Sequence, residues 1–121
     1  MGAPVVHFEI MGGEGSVLET FYRELFGWKM KVGEGPTHYA EVDTASKEGI
    51  PGGIAGAYPG RGPWVTFYVR AKDVAATVAR AVKLGGKVVM APVKIPDGPE
   101  IAVFEDPEGH PIGLVCDGGA A

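Results

Sequence analysis

The feature that most constrains this chain is that it repeats itself. His7 and Thr66 are 59 residues apart, Ser16 and Asp73 are 57 apart, and the helix-ending pairs Phe26-Gly27 and Leu84-Gly85 are 58 apart. Around each of these landmarks the same pattern recurs. Residues 5–10 (VVHFEI) alternate, with Val6, Phe8 and Ile10 on one side of a strand and His7 and Glu9 on the other; residues 64–69 (WVTFYV) alternate in the same way. After GGEG, Ser16 and Glu19 have the spacing of a capping box, and Leu18, Phe21, Tyr22, Leu25 and Phe26 form one helical stripe closed by Gly27. In the second half Asp73 takes the N-cap position, Val74, Val78, Ala81, Val82 and Gly85 give the stripe, and Gly85-Gly86 ends it. Strands are predicted at 28–33, 37–44 and 52–58, with a turn at 45–51, and again at 87–91, 100–105 and 111–116. The fold class is therefore α+β, built from two βαβββ repeats. The repeats span residues 1–60 and 61–121, joined at Gly60-Arg61-Gly62-Pro63 and together making one domain.

One helix covers one face of each four-stranded unit and leaves the other face over. Two such units are expected to curl a mixed sheet around a cleft lined by His7, Glu9, Thr66 and Tyr68. The 20 glycines and 10 prolines among 121 residues would be high for a folded chain, but 45% of residues are hydrophobic and only 21% charged. That is enough apolar surface to offset ordering entropy, so the glycines are expected in turns and close contacts. The net charge of −4, without basic blocks, excludes a phosphate-neutralising surface and makes nucleic acid an unexpected partner. No apolar run is long enough for a membrane helix and no secretory leader is evident, so a cytoplasmic protein is expected. The single Cys116 reads as a structural thiol.

The segments FYRELFGWKM (21–30) and FEDPEGHPIGLV (104–115), with the repeated helix ends, resemble the vicinal oxygen chelate superfamily. That superfamily includes glyoxalase I, bleomycin-resistance proteins, fosfomycin-resistance enzymes and extradiol dioxygenases. The resemblance covers about residues 4–116 and implies the glyoxalase/bleomycin resistance fold and a homodimer. In the family's enzymes, one divalent metal is held by residues of the first and last strands of each unit. Carried onto this sequence, the first-strand positions are His7 and Thr66, the last strand of the second unit reads Ile112-Gly113-Leu114, and that of the first, Gly53 to Gly56, has no carboxylate or histidine. His7 is the only residue at a family ligand position. The expectation is thus no metal and no cofactor, against the alternative of one divalent metal.

His7 and Glu9, two residues apart on one strand face, are the best candidates for acid/base chemistry and for gripping a ligand. Trp28, Tyr39, Glu41, Thr66, Tyr68 and Phe104 complete the expected ligand-binding set, since aromatic walls with a few polar groups suit flat or amphipathic molecules. Trp64 reads equally as lid, subunit contact or core. His38 and His110 are expected at exposed strand ends and turns, and Asp106-Pro107-Glu108-Gly109 as a tight turn rather than a calcium loop. Loops at 45–51 and 92–99 would shape the pocket. The function expected is metal-free binding of a small aromatic or amphipathic metabolite or drug. The alternatives are a lyase, isomerase or dioxygenase of the glyoxalase type using His7, and a non-catalytic regulatory module.

Overall fold

The computed structural model describes residues 2–33, 39–56 and 63–117. His38, the strand ends expected at 37–38 and 57–58, and linker residues 60–62 lie outside the described residues. Two compact units are present: His7–Val65, and Thr66–Ala121 together with Met1–Val6. The division falls a few residues from the expected 60/61 boundary, for reasons visible at both ends. The Arg70 amide donates to the Pro4 carbonyl at 2.9 Å, which ties the first residues to the second unit. The Trp64 indole donates to Glu9, which ties Trp64 to the first.

The first unit contains β1 (Val5–Gly12, from His7 on), α1 (Gly15–Phe26), β2 (Lys29–Val32), β3 (Ala40–Asp43) and β4 (Gly52–Gly56). Its strand order is β2-β3-β4-β1, with β1 parallel to β4 and the other pairs antiparallel. The second unit contains β5 (Trp64–Arg70, from Thr66 on), α2 (Val74–Lys83), β6 (Lys87–Lys94), β7 (Glu100–Glu105) and β8 (Pro111–Cys116). Its order, β5-β8-β7-β6, repeats the same scheme with β5 parallel to β8. The duplication inferred from spacing is thus a duplication of topology. β6 runs three residues beyond its expected end; Pro92 is tolerated because β6 is the outer strand of its unit's order and its pairing with β7 shifts register between Met90 and Val93, where Pro92 lies.

Register explains which side chains share a face. Ala40 and Ile10 lie level with Ile54, and Phe8 and Val42 with Gly52, so these residues occupy one face of the first unit. Ala40, Val42 and Ile54 are essentially inaccessible. Phe8, Tyr22 and Phe26 meet the Trp28 ring at centroid distances of 5.3, 5.5 and 5.1 Å, an aromatic cluster between strand and helix. The helical stripe is only partly used. Leu18 and Tyr22 are half-buried, whereas Phe21 and Leu25 remain more than half exposed. The Ser16–Glu19 capping box does not form: Ser16 lies inside α1, the N-cap is Glu14 without a side-chain bond, and Glu19 is buried. At the other end Gly27 takes the left-handed conformation, φ 71°, and its amide bonds the Arg23 carbonyl.

In the second unit Asp73 caps α2 as expected, its carboxylate accepting the Ala76 amide at 3.0 Å. Val74, Val78, Ala71, Ala102 and Leu114 form its core. The turn after β7 is also as expected: Gly109 has φ 91° and donates to the Asp106 carbonyl, while the Asp106 carboxylate accepts the Glu108 and His110 amides.

Candidate functional site

The other face of the first unit carries Glu9, Gly53 and Glu41, which lie level across β1, β4 and β3. Lys31 lies level with Glu41, and Lys29 with Asp43, at the outer strand. His7 joins them, and a cleft of about 580 Å³ is lined by His7, Lys29, Lys31, Glu41, Asp43 and Pro51 among others. Among the described residues no ion pair joins Lys29 to Asp43 or Lys31 to Glu41, although each pair is in register. Charged groups of both signs therefore face the cleft, beside Met30, Val42 and Pro51.

At the heart of this face is a hydrogen-bonded chain. The Tyr39 hydroxyl donates to Glu9 Oε2 at 3.0 Å, and the Trp64 indole N–H donates to Glu9 Oε1 at 2.9 Å. Both carboxylate oxygens of the buried Glu9 are thus satisfied. A hydroxyl has one proton to give. With that proton on Glu9, the Tyr39 oxygen accepts from His7 Nε2–H, 2.9 Å away. This assigns the proton of neutral His7 to Nε2 and makes Nδ1 the basic nitrogen. Burial lowers the His7 pKa below its ordinary 6.5, and the Glu41 carboxylate opposes this with a smaller effect.

The expected site residues divide. The structure brings together His7, Glu9, Tyr39 and Glu41. Trp28 lies on the opposite, helix-side face with Phe8, Tyr22 and Phe26, so it is packing rather than a wall of this cleft. In the second unit the Thr66 hydroxyl donates to the Pro111 carbonyl, Tyr68 is buried against Gly113, and Phe104 packs on the core beside α2. Sequence reasoning missed Lys29, Lys31 and Asp43. The signal was available, since alternation along 28–33 puts Lys29 and Lys31 on one side. It also left the role of Trp64 open, because its partner is 55 residues away.

The positions where the family's metalloenzymes hold a metal bear on whether these residues fit one. At Gly53 a Cβ would run into the Tyr39 phenol, and at Gly113 one would come within 2.5 Å of the Tyr68 ring. Each glycine seats an aromatic ring, so neither position can carry a carboxylate without displacing it. Thr66 is committed to Pro111. Among the described residues no group of three or more His, Cys, Asp or Glu is disposed to hold a metal ion. The donor set a chelated divalent metal requires is not assembled by them.

Two identical four-strand orders, each with one helix, define the class: a duplicated βαβββ protein of the glyoxalase/bleomycin resistance fold. The chain belongs to the glyoxalase-like domain family, which it matches over residues 14–115. It is 31% identical over 104 residues to CFP32 of Mycobacterium bovis and Mycobacterium tuberculosis, a protein named as a glyoxylase; the match takes in 82% of this chain and 40% of CFP32. The chain thus spans well under half the length of these curated relatives. In fold it is similar to a glyoxalase/bleomycin resistance protein/dioxygenase superfamily member from Vibrio splendidus (TM-score 0.65, 17% identity, 96% of this chain and all of the other). It is also similar to methylmalonyl-CoA epimerase from Mycobacterium tuberculosis (TM-score 0.65, 16% identity, 93% and 87%).

Proposed function

We propose that this glyoxalase-like protein binds a small amphipathic metabolite or drug in the cleft beside His7, without a resident metal. The observation that carries the reading is the seat of Tyr39 over Gly53, where its phenol bonds His7 and Glu9 in the space a metal-ligating side chain would need. Lys29, Lys31, Glu41 and Asp43 supply recognition by charge, and a neutral His7 supplies a hydrogen bond. The charged rim favours a ligand with a polar end, which Lys29, Lys31, Glu41 and Asp43 would hold.

Thermal-shift screening of amphipathic metabolites and antibiotics should give saturable stabilisation, with amide NMR shifts on the cleft residues Lys31, Glu41 and Gly52. His7→Ala should abolish it. Binders whose shifts fall elsewhere would overturn the reading. Zinc, nickel, iron and manganese, added singly and then desalted away, should leave no stoichiometric metal; retention of one equivalent would sink the metal-free part.

The His7–Tyr39 contact favours a second reading, an isomerase or lyase in which neutral His7 is the base. Proton exchange from a carbon acid into deuterated water, lost in His7→Ala, would distinguish it from binding alone. We also take the protein to act as a homodimer. Val17, Phe21 and Leu25, four residues apart on α1, are all more than half exposed and form an apolar stripe suited to a second copy. Sedimentation as a 12.6 kDa species at micromolar concentration would refute this.

A further inference from the structure

A second concavity, of about 960 Å³, lies within the Thr66–Ala121 unit on the side of its sheet that carries α2. Its walls are the flank of α2 from Ala76 to Leu84 and the end of β7 with Pro107. Glycine makes the junction at its closed end. The Gly86 amide bonds the Ala81 carbonyl at 2.8 Å, and a Cβ at Gly86 would come within 2.6 Å of the Glu105 carbonyl. That close approach of helix end to strand end leaves a groove with an apolar lining, including Ala81, Leu84, Phe104 and Pro107. Leu84, just past the end of α2, is 65% exposed beside it.

The charges at the rim are not equivalent. Asp73 is engaged as the α2 cap, Asp106 holds the turn amides and the His110 ring, and Arg70 is paired with Asp117. Lys72 and Arg80 also line the groove, and among the described residues neither side chain has a hydrogen bond or ion pair. The carboxylates of Asp73 and Asp106 keep their charge but accept from backbone amides, so among the described residues Lys72 and Arg80 are the lining charges without a hydrogen-bonded partner, above an apolar floor.

We propose that this groove is a second ligand site, taking a small organic anion with an apolar body, such as an acyl or aryl carboxylate, whose anionic end is held by Lys72 and Arg80. The apolar body would cover Leu84 and Phe104, and the carboxylate would make charge-assisted bonds with the two cations. This site shares no residue with the His7 cleft and does not depend on its function.

The test uses octanoate and the fluorescent aryl sulfonate 8-anilinonaphthalene-1-sulfonate on the intact protein. Octanoate should displace the dye saturably, and its amide NMR shifts should fall on Ala76, Ala81 and Leu84. Lys72→Glu with Arg80→Glu should weaken octanoate by about tenfold or more, since both charge-assisted bonds are lost and repulsion replaces them. Both residues are exposed, and Arg80→Met, which keeps the apolar stem, provides a milder loss of charge. Lys47→Glu, at a residue that lines neither concavity, should leave octanoate affinity unchanged. Unaltered octanoate affinity in the double variant, shifts on Lys31 and Glu41 instead, or no saturable binding would each overturn the proposal.

Discussion

The phenol of Tyr39 lies over Gly53, occupying the space of the missing side chain while it bonds His7 and Glu9. A methyl group at position 53 must push the ring away and stretch both bonds. Gly53→Ala should therefore cost about 1–3 kcal/mol in urea unfolding, the range for overpacking. In a Tyr39→Ala background the same change should fall within about 0.5 kcal/mol of neutral, because the obstacle is gone. Equal costs in the two backgrounds would show that the ring is not what keeps position 53 a glycine.

Glu9 is 5% exposed and receives one donor from each side, Tyr39 and Trp64. Tyr39→Phe removes one donor with little change in bulk, and Trp64→Phe removes a second together with part of the indole's volume. Each should cost about 1–3 kcal/mol, the penalty for under-satisfying a buried polar group. The double variant removes both bonds and should cost at least as much as the two single losses together. A double variant no less stable than either single one in denaturant unfolding would show that these two bonds do not hold Glu9.

His7 supplies a pH dependence of known sign. Its folded pKa is lowered, chiefly by burial, so the unfolded chain takes up a proton at higher pH than the folded one. Stability should fall as pH drops through about 6.5, and level off below the folded pKa, where both states are protonated. His7→Gln should remove this component. Glu41→Gln, which takes away the charge that holds the His7 pKa up, should lower it further and deepen the loss. The measurements are unfolding midpoints from about pH 8 to about pH 5 and the His7 ring-proton titration. A His7 titration that moves upward in Glu41→Gln would overturn the assignment.

The fold was legible because duplication, period-2 strands and helix ends are local or repeating signals. β7 and β8 begin and end where the sequence places them, and Asp73 caps as its position suggests. The site was legible only in part. Alternation puts His7 and Glu9 on one face, but whether an aromatic joins them or faces the helix depends on register. Tyr39 and Trp28 look alike as strand-edge aromatics, and β3 turns the first towards Glu9 while Trp28 packs with Tyr22 and Phe26 on the other side. The glycines at 53 and 113 read as missing ligands in sequence; in the structure they are the seats of two tyrosines, a fact that needs the cross-strand partner to be seen.

The two helix starts offer a final contrast. Both carry a good sequence signal, Ser16 with Glu19 in one repeat and Asp73 in the other. Only Asp73 sits at the N-cap, accepting the Ala76 amide with its side chain and the Thr77 hydroxyl with its carbonyl. Ser16 is exposed, one residue inside α1, and bonds only through its carbonyl to the Thr20 hydroxyl at 3.1 Å. Asp73→Ala should therefore cost about 1 kcal/mol, as capping losses do. Ser16→Ala should stay within about 0.5 kcal/mol, since alanine is the better residue within a helix and no cap is lost. Comparable losses in the two variants would mean that α1 is capped by Ser16 in solution and begins a residue or two later than Gly15.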